Sequence, residues 1–282
     1  MGMRTGTVRC VSAGGFHAMA YTEWGAPSAG RTVFCAHGLT RTGRDFDRFA
    51  GALEDRFRVV CPDVVGRGLS DWLRDPGGYG FTQYVNDMTV LLGRTGADRV
   101  DWVGTSMGGL IGMIMAAADN SPIERLVLND VGPLVSKQGL ERIQAYLEQD
   151  WAFATAAEAE AHVKAVYAPF GALDDDEWRH IVEHTVRADS EGTWRMVFDP
   201  GIVEPMRQQP LEDVDLWPLY DKIACPVLLV RGAQSDIVTP EVAAEMAQRG
   251  PRADVIEFGD CGHAPTLMPA HQIAAVREWL VG

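Results

Sequence analysis

The chain has 282 residues, with 25 Lys or Arg against 39 Asp or Glu, and a formal net charge of −14. A protein that binds nucleic acid through its phosphates needs a basic face, and no cluster of four or more basic residues occurs here. The longest nearly continuous apolar stretch, residues 110–118, is far shorter than the ~18 residues of a membrane span. Nucleic-acid binding and membrane insertion are therefore excluded, and the 46% hydrophobic content predicts a soluble globular protein.

The N-terminal region and the cysteines indicate in which cellular compartment the protein is expected. Residues 1–24 include Arg4 and Arg9 but no continuous apolar segment, so the sequence does not predict a secretory signal. The five cysteines are widely spaced and form no Cys-x-x-Cys pair, which is typical of reduced thiols rather than of a disulfide framework or a zinc knot. We expect a cytoplasmic protein.

Strands and helices alternate over the first half of the chain. Short apolar runs are each followed by a turn and by a stretch with helical apolar spacing, the pattern of a parallel sheet covered on both faces. The predicted strands are residues 32–35, 58–61, 99–103 and 125–128, preceded by a hairpin of residues 7–11 and 16–22. The predicted helices are residues 46–53, 84–92 and 107–118.

The pattern changes after Pro133. Residues 134–217 contain helical stretches interrupted by prolines and no comparable strands, which predicts an inserted helical cap. The alternation then resumes with predicted strands at 227–231 and 255–258, a helix beginning at Thr239-Pro240, and a terminal helix at 270–280. Residues 1–133 and 218–282 are thus predicted to form one α/β core, and residues 134–217 a cap over it.

A candidate nucleophile lies between the third predicted core strand and its helix. Residues 104–108 read Gly-Thr-Ser-Met-Gly, a Gly-x-Ser-x-Gly motif in the strand–turn–helix context that this motif requires. A serine hydroxyl is a weak nucleophile that must project from a sharp turn toward a base, and the flanking glycines remove the Cβ atoms that would block this turn. The motif predicts Ser106 as the nucleophile.

A serine nucleophile needs a base and a carboxylate. His263 lies on a loop after the last predicted strand, from which an imidazole can reach the carboxyl edge of the sheet near Ser106. Asp236 lies in the loop after the 227–231 strand and could hold His263 in the productive tautomer. Asp130 also follows a strand and is kept as the alternative acid, whereas Asp260 is too close in sequence to His263 to be preferred.

These motifs resemble the α/β-hydrolase superfamily, and specifically its bacterial serine esterase-like members with a helical cap. The resemblance rests on four features in chain order. They are His37-Gly38 after the 32–35 strand, the motif around Ser106, Asp236 after the 227–231 strand, and Gly262-His263 before the final helix. It implies a mostly parallel eight-stranded sheet with helices on both faces, and hydrolysis of a small-molecule substrate without a cofactor. The segment 62–71 also resembles the family loop after the fourth strand, which we interpret as structural support.

The resemblance further implies an oxyanion hole formed by the backbone N–H groups of Leu39 and Met107. His37 is interpreted as a structural residue of this turn rather than as a second base. His180 and His184 match the His-x-x-Glu-His pattern of inverted zinc peptidases. Because they lie within the insertion, away from the core motifs, we interpret them as part of a charged helix face and expect no metal site.

The sequence therefore predicts a serine hydrolase acting on an ester or lactone. Hydrolysis of a carbon–carbon bond is an alternative, although members with that activity usually carry Asn and Trp where this chain has Thr105 and Ala264. A noncatalytic receptor on the same fold is a second alternative. Residues 141–191 contain twelve acidic and four basic residues, which favours an uncharged, partly apolar substrate. A monomer and a homodimer are equally compatible with the sequence.

Overall fold

The computed structural model describes residues 2–149, 151–208 and 210–282. Thirteen strands are present among these residues. They are β1 (Arg4–Ser12), β2 (Gly15–Trp24), β3 (Arg31–Ala36), β4 (Phe57–Pro62), β5 (Val100–Thr105), β6 (Ile123–Asn129), β7 (Leu134–Val135), β8 (Ala152–Phe153), β9 (Val186–Ala188), β10 (Trp194–Met196), β11 (Val214–Asp215), β12 (Val227–Gly232) and β13 (Asp254–Phe258).

Ten α-helices accompany these strands in the described part of the chain. They are α1 (Asp47–Leu53), α2 (Phe81–Thr95), α3 (Met107–Ala116), α4 (Lys137–Leu147), α5 (Ala156–Val166), α6 (Asp175–Glu183), α7 (Glu204–Arg207), α8 (Trp217–Tyr220), α9 (Pro240–Met246) and α10 (Ala270–Val281). Among the residues described, no helix is long and apolar enough to cross a membrane.

Eight strands form one sheet in the order β1-β2-β4-β3-β5-β6-β12-β13. The pairs β1–β2 and β2–β4 are antiparallel, and the remaining five pairs are parallel. The predicted mostly parallel eight-stranded sheet is confirmed, and each predicted core strand and helix has a counterpart. The parallel arrangement brings the carboxyl ends of β5, β6 and β12 side by side at one edge, which is where ligands bind in open α/β sheets.

The central strands are apolar on both faces because helices cover both sides of the sheet. Phe34 and Trp102 belong to a buried cluster that includes α2, α3 and the residues after β6. Val33 and Val103, their neighbours in sequence, belong to a second cluster that includes α1 and α10. Neighbouring side chains of each strand thus face opposite helical layers, and the rigid sheet fixes the loops at its edge.

The segment predicted as a cap lies between β6 and β12. It contains helices α4 to α8, but it also contains short strands that the sequence pattern did not predict, in a three-stranded sheet ordered β8-β10-β9 and the pair β7–β11. Val135 pairs with Val214 and Leu134 with Asp215, so the chain entering the segment is hydrogen-bonded to the chain leaving it. The capping box of Asp174 and Glu177 begins α6.

The close contact between α3 and β3 carries a stability prediction. A Cβ atom on Gly108 would lie 2.0 Å from the Ala36 carbonyl oxygen, so Gly108→Ala must push α3 away from the sheet. We expect this substitution to lower the free energy of unfolding by about 3 kcal/mol, measured by urea denaturation.

Gly93→Ala is the matched control for this substitution. Gly93 is exposed within α2, and a Cβ atom there would meet nothing within 4 Å. Alanine is the better helix former, so we expect a gain of about 0.5–1 kcal/mol. Equal effects of the two substitutions would contradict the steric explanation.

Candidate active site

The turn that carries Ser106 is tightly constrained by its neighbours. Ser106 connects β5 directly to α3 and has φ 51° and ψ −115°, in the left-handed range of φ that L-residues rarely adopt. A Cβ atom on Gly104 would lie 2.3 Å from the Gly108 carbonyl oxygen, so only glycine permits this approach of strand and helix. The Ser106 N–H donates to the Asn129 carbonyl oxygen at 3.0 Å. The strand–turn–helix geometry expected for this motif is therefore present.

Ser106, His263 and Asp130 form one chain of hydrogen-bonding contacts. The Ser106 Oγ atom lies 3.2 Å from His263 Nε2, and His263 Nδ1 lies 2.7 Å from Asp130 Oδ2. Because a carboxylate only accepts hydrogen bonds, Nδ1 carries the ring hydrogen and Nε2 is left to accept one from the serine hydroxyl. This tautomer is the one that a general base beside a serine requires.

The expectation that Asp236 would contact His263 is wrong. The Asp236 side chain is 54% exposed and forms an ion pair with Arg142 of α4. Both acids follow a buried strand, but β6 lies directly beside β5, whereas β12 is one strand further away. Asp130 comes immediately after β6, while Asp236 lies four residues beyond β12. The alternative acid of the sequence analysis therefore takes the position beside His263.

Asp130 is fully buried and hydrogen-bonded through both carboxylate oxygens. Its Oδ1 atom accepts from the Gly232 N–H at 3.3 Å, and its Oδ2 atom accepts from the Ser235 hydroxyl at 2.7 Å in addition to His263. The Ser235 oxygen in turn accepts from the N–H groups of Ile237 and Val238. A buried carboxylate is costly unless it is hydrogen-bonded, and two of these donors come from the last residue of β12 and the loop that follows it.

Asn129 links the loops that carry the serine and the histidine. It is fully buried, and its side-chain amide donates to Thr105 Oγ1 at 2.9 Å and to the Pro265 carbonyl oxygen at 2.7 Å. Sequence reasoning did not single out Asn129 or Ser235. The polar residue directly after the apolar run 126–128 was the available signal for Asn129, and the sequence offered no comparable signal for Ser235.

Leu39 and Met107, the residues expected from the resemblance to form an oxyanion hole, both lie near Ser106. Met107 is the first residue of α3, so its N–H is one of the four that have no acceptor within the helix. Leu39 follows Gly38, where a Cβ atom would lie only 3.8 Å from Ser106 Cβ. The buried Arg67 side chain donates from Nε to the Leu39 carbonyl oxygen at 2.8 Å. Arg67 belongs to the segment 62–71, and this contact agrees with the supporting role predicted for that segment.

Comparison with known proteins identifies the family. A family model of the alpha/beta hydrolase fold matches residues 31–267, which include Ser106, Asp130 and His263. The chain belongs to the α/β-hydrolase family. The family expected from the sequence motifs is thus confirmed.

This α/β hydrolase has similar relatives over its whole length. It is 45% identical over 288 residues to a Cupriavidus necator protein named 3-hydroxybutyrate-oligomer hydrolase, with 99% of this chain and 98% of that protein covered. A solved hydrolase structure from Rickettsia typhi has a TM-score of 0.91 and 31% identity, covering 100% of this chain and 99% of that one. An α/β hydrolase from Novosphingobium aromaticivorans has a TM-score of 0.88 and 36% identity, with 98% of both chains covered. The prediction that the chain is an enzyme of the hydrolase class agrees with these relatives.

The segment between β6 and β12 contacts both loops beside Ser106. The Tyr167 hydroxyl lies 3.0 Å from Thr40 Oγ1, next to Leu39, and the Tyr167 ring packs 4.6 Å from the guanidinium carbon of the buried Arg41. On the other side, the Pro169 carbonyl oxygen accepts from the Gly262 N–H at 2.7 Å, next to His263. The segment 167–169 therefore bridges the loops on either side of the serine.

His37 is held as a neutral structural residue. Its Nδ1 atom donates to the Gly38 carbonyl oxygen at 2.7 Å, and its Nε2 atom accepts from the Val64 N–H at 2.9 Å. Complete burial lowers the pKa of His37 to about 4, with a further contribution from the nearby Arg67 charge. These contacts agree with the structural role predicted for His37 in the turn after β3.

The lowered pKa of His37 predicts a pH-dependent stability. Unfolded histidine has a pKa near 6.5, so between pH 6.5 and about 4 the unfolded chain binds the additional proton and stability falls as the pH falls. We expect the difference in unfolding free energy between wild type and His37→Gln to shrink by about 2 kcal/mol from pH 7.5 to pH 5.0, measured by urea denaturation. The same difference at both pH values would contradict a buried neutral imidazole.

Proposed function

We propose that this α/β hydrolase cleaves carboxylic esters with Ser106 as nucleophile, His263 as base and Asp130 as the third member of the triad. The observation that carries the proposal is the continuous contact chain of 3.2 Å from serine to histidine and 2.7 Å from histidine to aspartate. The side chains come from three separate loops at one edge of the sheet. Their order and tautomer are those required for acyl transfer.

In the proposed reaction, Ser106 Oγ attacks the ester carbonyl carbon while His263 Nε2 takes its proton. The imidazolium formed is stabilised by the buried Asp130 carboxylate, and the Leu39 and Met107 N–H groups stabilise the oxyanion. His263 then donates the proton to the departing alkoxide, which leaves an acyl group on Ser106. A water molecule deprotonated by His263 attacks this acyl group, the carboxylic acid leaves, and His263 returns the proton to Ser106 Oγ.

The substrate class is proposed from a relative that matches nearly the whole chain. The Cupriavidus necator protein is named for hydrolysis of 3-hydroxybutyrate oligomers and covers nearly the whole chain at 45% identity. We infer that the substrates are short linear oligoesters of hydroxyalkanoic acids. Such oligomers carry a terminal carboxylate, which the acidic excess of residues 141–191 should disfavour, so we expect esterified oligomers to react faster than the free acids.

The test uses the dimer and trimer of 3-hydroxybutyrate, the methyl ester of the dimer, and a short-chain p-nitrophenyl ester. We expect hydrolysis of the oligomers and the p-nitrophenyl ester, and inactivation by phenylmethylsulfonyl fluoride with the adduct mapped to Ser106 by peptide mass spectrometry. A higher kcat/KM for the methyl ester than for the free dimer would support the uncharged substrate. Turnover of a ring-cleavage dienone without ester hydrolysis would favour the carbon–carbon hydrolase instead.

Ser235 is expected to act through Asp130 as a positioning residue. Ser235→Ala removes a hydrogen-bond donor from the Asp130 carboxylate, so we expect kcat to fall about tenfold with little change in KM. The carboxylate then interacts more strongly with the imidazolium, which moves the acid limb of the pH–kcat/KM profile to higher pH. Ser235→Thr retains the hydroxyl and should restore both kcat and the position of the acid limb to those of the wild type. A loss of activity with an unchanged pH profile would contradict this role.

A further inference from the structure

Three metal-ligating side chains meet where α6 of the insertion lies against α1 of the core. Asp47 is the first residue of α1, His180 lies on α6, and His184 is the residue that ends α6. One ligand atom from each residue lies within 4.8 Å of those of the other two. The His-x-x-Glu-His pattern alone offered two histidines from one helix, and the fold adds a carboxylate from a distant part of the chain.

The Asp47 carboxylate has a free oxygen directed away from solvent. Its Oδ2 atom accepts from Arg44 Nε at 2.7 Å, whereas its Oδ1 atom is buried and has no hydrogen-bond partner among the described residues. The residue as a whole is 9% exposed. A buried carboxylate oxygen without a partner is costly, and a bound cation would satisfy it.

The hydrogen-bonding pattern of His184 resembles that of a metal ligand. Its Nδ1 atom lies 2.8 Å from the His180 carbonyl oxygen, so Nδ1 carries the hydrogen and Nε2 holds a free lone pair. Histidines that bind metals commonly donate their other ring hydrogen to a backbone carbonyl in this way, because the contact fixes the tautomer and the ring orientation.

His180 lies close to the same carboxylate. Its Nε2 atom is 2.8 Å from the Arg44 carbonyl oxygen and 3.8 Å from Asp47 Oδ2. To bind an ion through Nε2, the ring must carry its hydrogen on Nδ1 and give up the single hydrogen bond to Arg44. His180 and His184 are both half-buried, so an ion can reach them without unfolding of the core.

We propose that Asp47, His180 and His184 bind a divalent cation of the zinc type, which fastens α6 to α1. Two imidazole nitrogens and one carboxylate oxygen suit Zn²⁺, whereas Mg²⁺ and Ca²⁺ prefer all-oxygen sites. Ligand atoms around a tetrahedral Zn²⁺ ion are about 3.3 Å apart. Side-chain rotations that move the ligand atoms by roughly an ångström would therefore bring them to this spacing. The acidic excess of residues 141–191 favours a cation, and an Arg48–Glu177 ion pair of 3.3 Å already joins the two helices.

The second cluster of possible ligands lies inside the core. Cys10, His17 and Asp87 are all buried, and His17 Nε2 lies 2.9 Å from Asp87 Oδ2. The carboxylate there already has its histidine and Gln83 as partners. Both Asp87 oxygens are thus occupied, whereas Asp47 Oδ1 has no partner among the described residues, so the α1–α6 contact is the stronger candidate for a metal site.

The test is isothermal titration of the EDTA-treated, tag-free full chain with Zn²⁺. We expect one ion per chain with a Kd in the micromolar range or below, and a rise in Tm of about 5 °C at a hundredfold excess over Kd. His184→Gln should weaken binding at least about 100-fold. His271→Gln removes an exposed histidine that lies 3.7 Å from Asp260, and as the matched control it should bind as the wild type does.

Two further measurements complete the test. Zn²⁺ should slow amide hydrogen exchange in α6 of the wild type but not of His184→Gln, because only the intact site joins α6 to α1. Asp47→Asn should lose Zn²⁺ binding as well. This variant also loses the ion pair with Arg44, so if it proves unstable the comparison of His184→Gln with the wild type decides the outcome. Absence of binding at 100 µM Zn²⁺, or equal affinity of wild type and His184→Gln, would overturn the proposal. The result is independent of ester hydrolysis.

Discussion

Asp130→Asn should lower kcat for ester hydrolysis by about 10⁴-fold, whereas Asp236→Asn should stay within about twofold of the wild type. The asparagine amide can no longer offer two charged acceptors to Gly232, Ser235 and His263. If its NH₂ group faces His263, the ring hydrogen moves to Nε2, where it points at the serine hydroxyl and blocks proton transfer. If its oxygen faces His263, the imidazolium loses the charge that stabilises it.

Asp236→Asn is the matched control for this measurement. It makes the same change at the other candidate acid, whose side chain is half exposed and paired with Arg142. Both variants should be compared by steady-state kinetics with a p-nitrophenyl ester, at equal folded fraction by circular dichroism. A loss of several orders of magnitude in Asp236→Asn alone would show that the hydrogen bonds around Asp130 are not those of the reacting enzyme.

Ser106→Ala should lower kcat by about 10⁵-fold or more, because no other hydroxyl is placed beside His263 Nε2 in the described structure. The stability should change little, since the Ser106 side chain has no hydrogen-bond partner other than His263 among the residues that the structure describes. Ser28→Ala, at an exposed position between β2 and β3, is the control for the same chemical change and should retain full activity. Assays with and without EDTA distinguish the serine from a metal-bound hydroxide.

Unchanged turnover by Ser106→Ala would disprove the acyl-enzyme mechanism. Residual activity that EDTA removes would instead assign the reaction to a metal site, with His180 and His184 as its first candidates. Loss of activity with retained oligomer binding, measured by calorimetry, is the expected combination, because the hydroxyl is needed for reaction rather than for affinity.

The sequence by itself was sufficient to predict the features that depend on residues close together in the chain, such as the turn that carries Ser106 and the order of strands and helices. The position of Ser106 depends on the contiguous segment 104–109, which holds the end of β5, the start of α3 and three closely packed glycines. The order of core strands and helices followed from apolar spacing within each segment. His263 could be selected because its loop follows the last strand of the sheet.

Only the tertiary structure decided which acid contacts the histidine. Asp130 and Asp236 look alike in sequence, since each follows a buried strand, and they differ in the path that each loop takes from the sheet edge. Asp130 lies inward, where Gly232 and Ser235 donate to it, and Asp236 lies outward beside Arg142. The free energy of a buried carboxylate depends on such distant donors, and no local pattern encodes them.

The cluster at the α1–α6 contact is likewise completed by a residue that is distant in the sequence. The spacing of His180 and His184 indicated two ligands on one helix, and an isolated pair on a charged face predicted no site. Packing of α6 against α1 brings Asp47 to them, with one carboxylate oxygen that is buried and has no hydrogen-bond partner among the described residues. The sequence determined the residues that local chemistry requires, and tertiary packing decided which distant residues complete each cluster, because burial and partner geometry exist only in the folded chain.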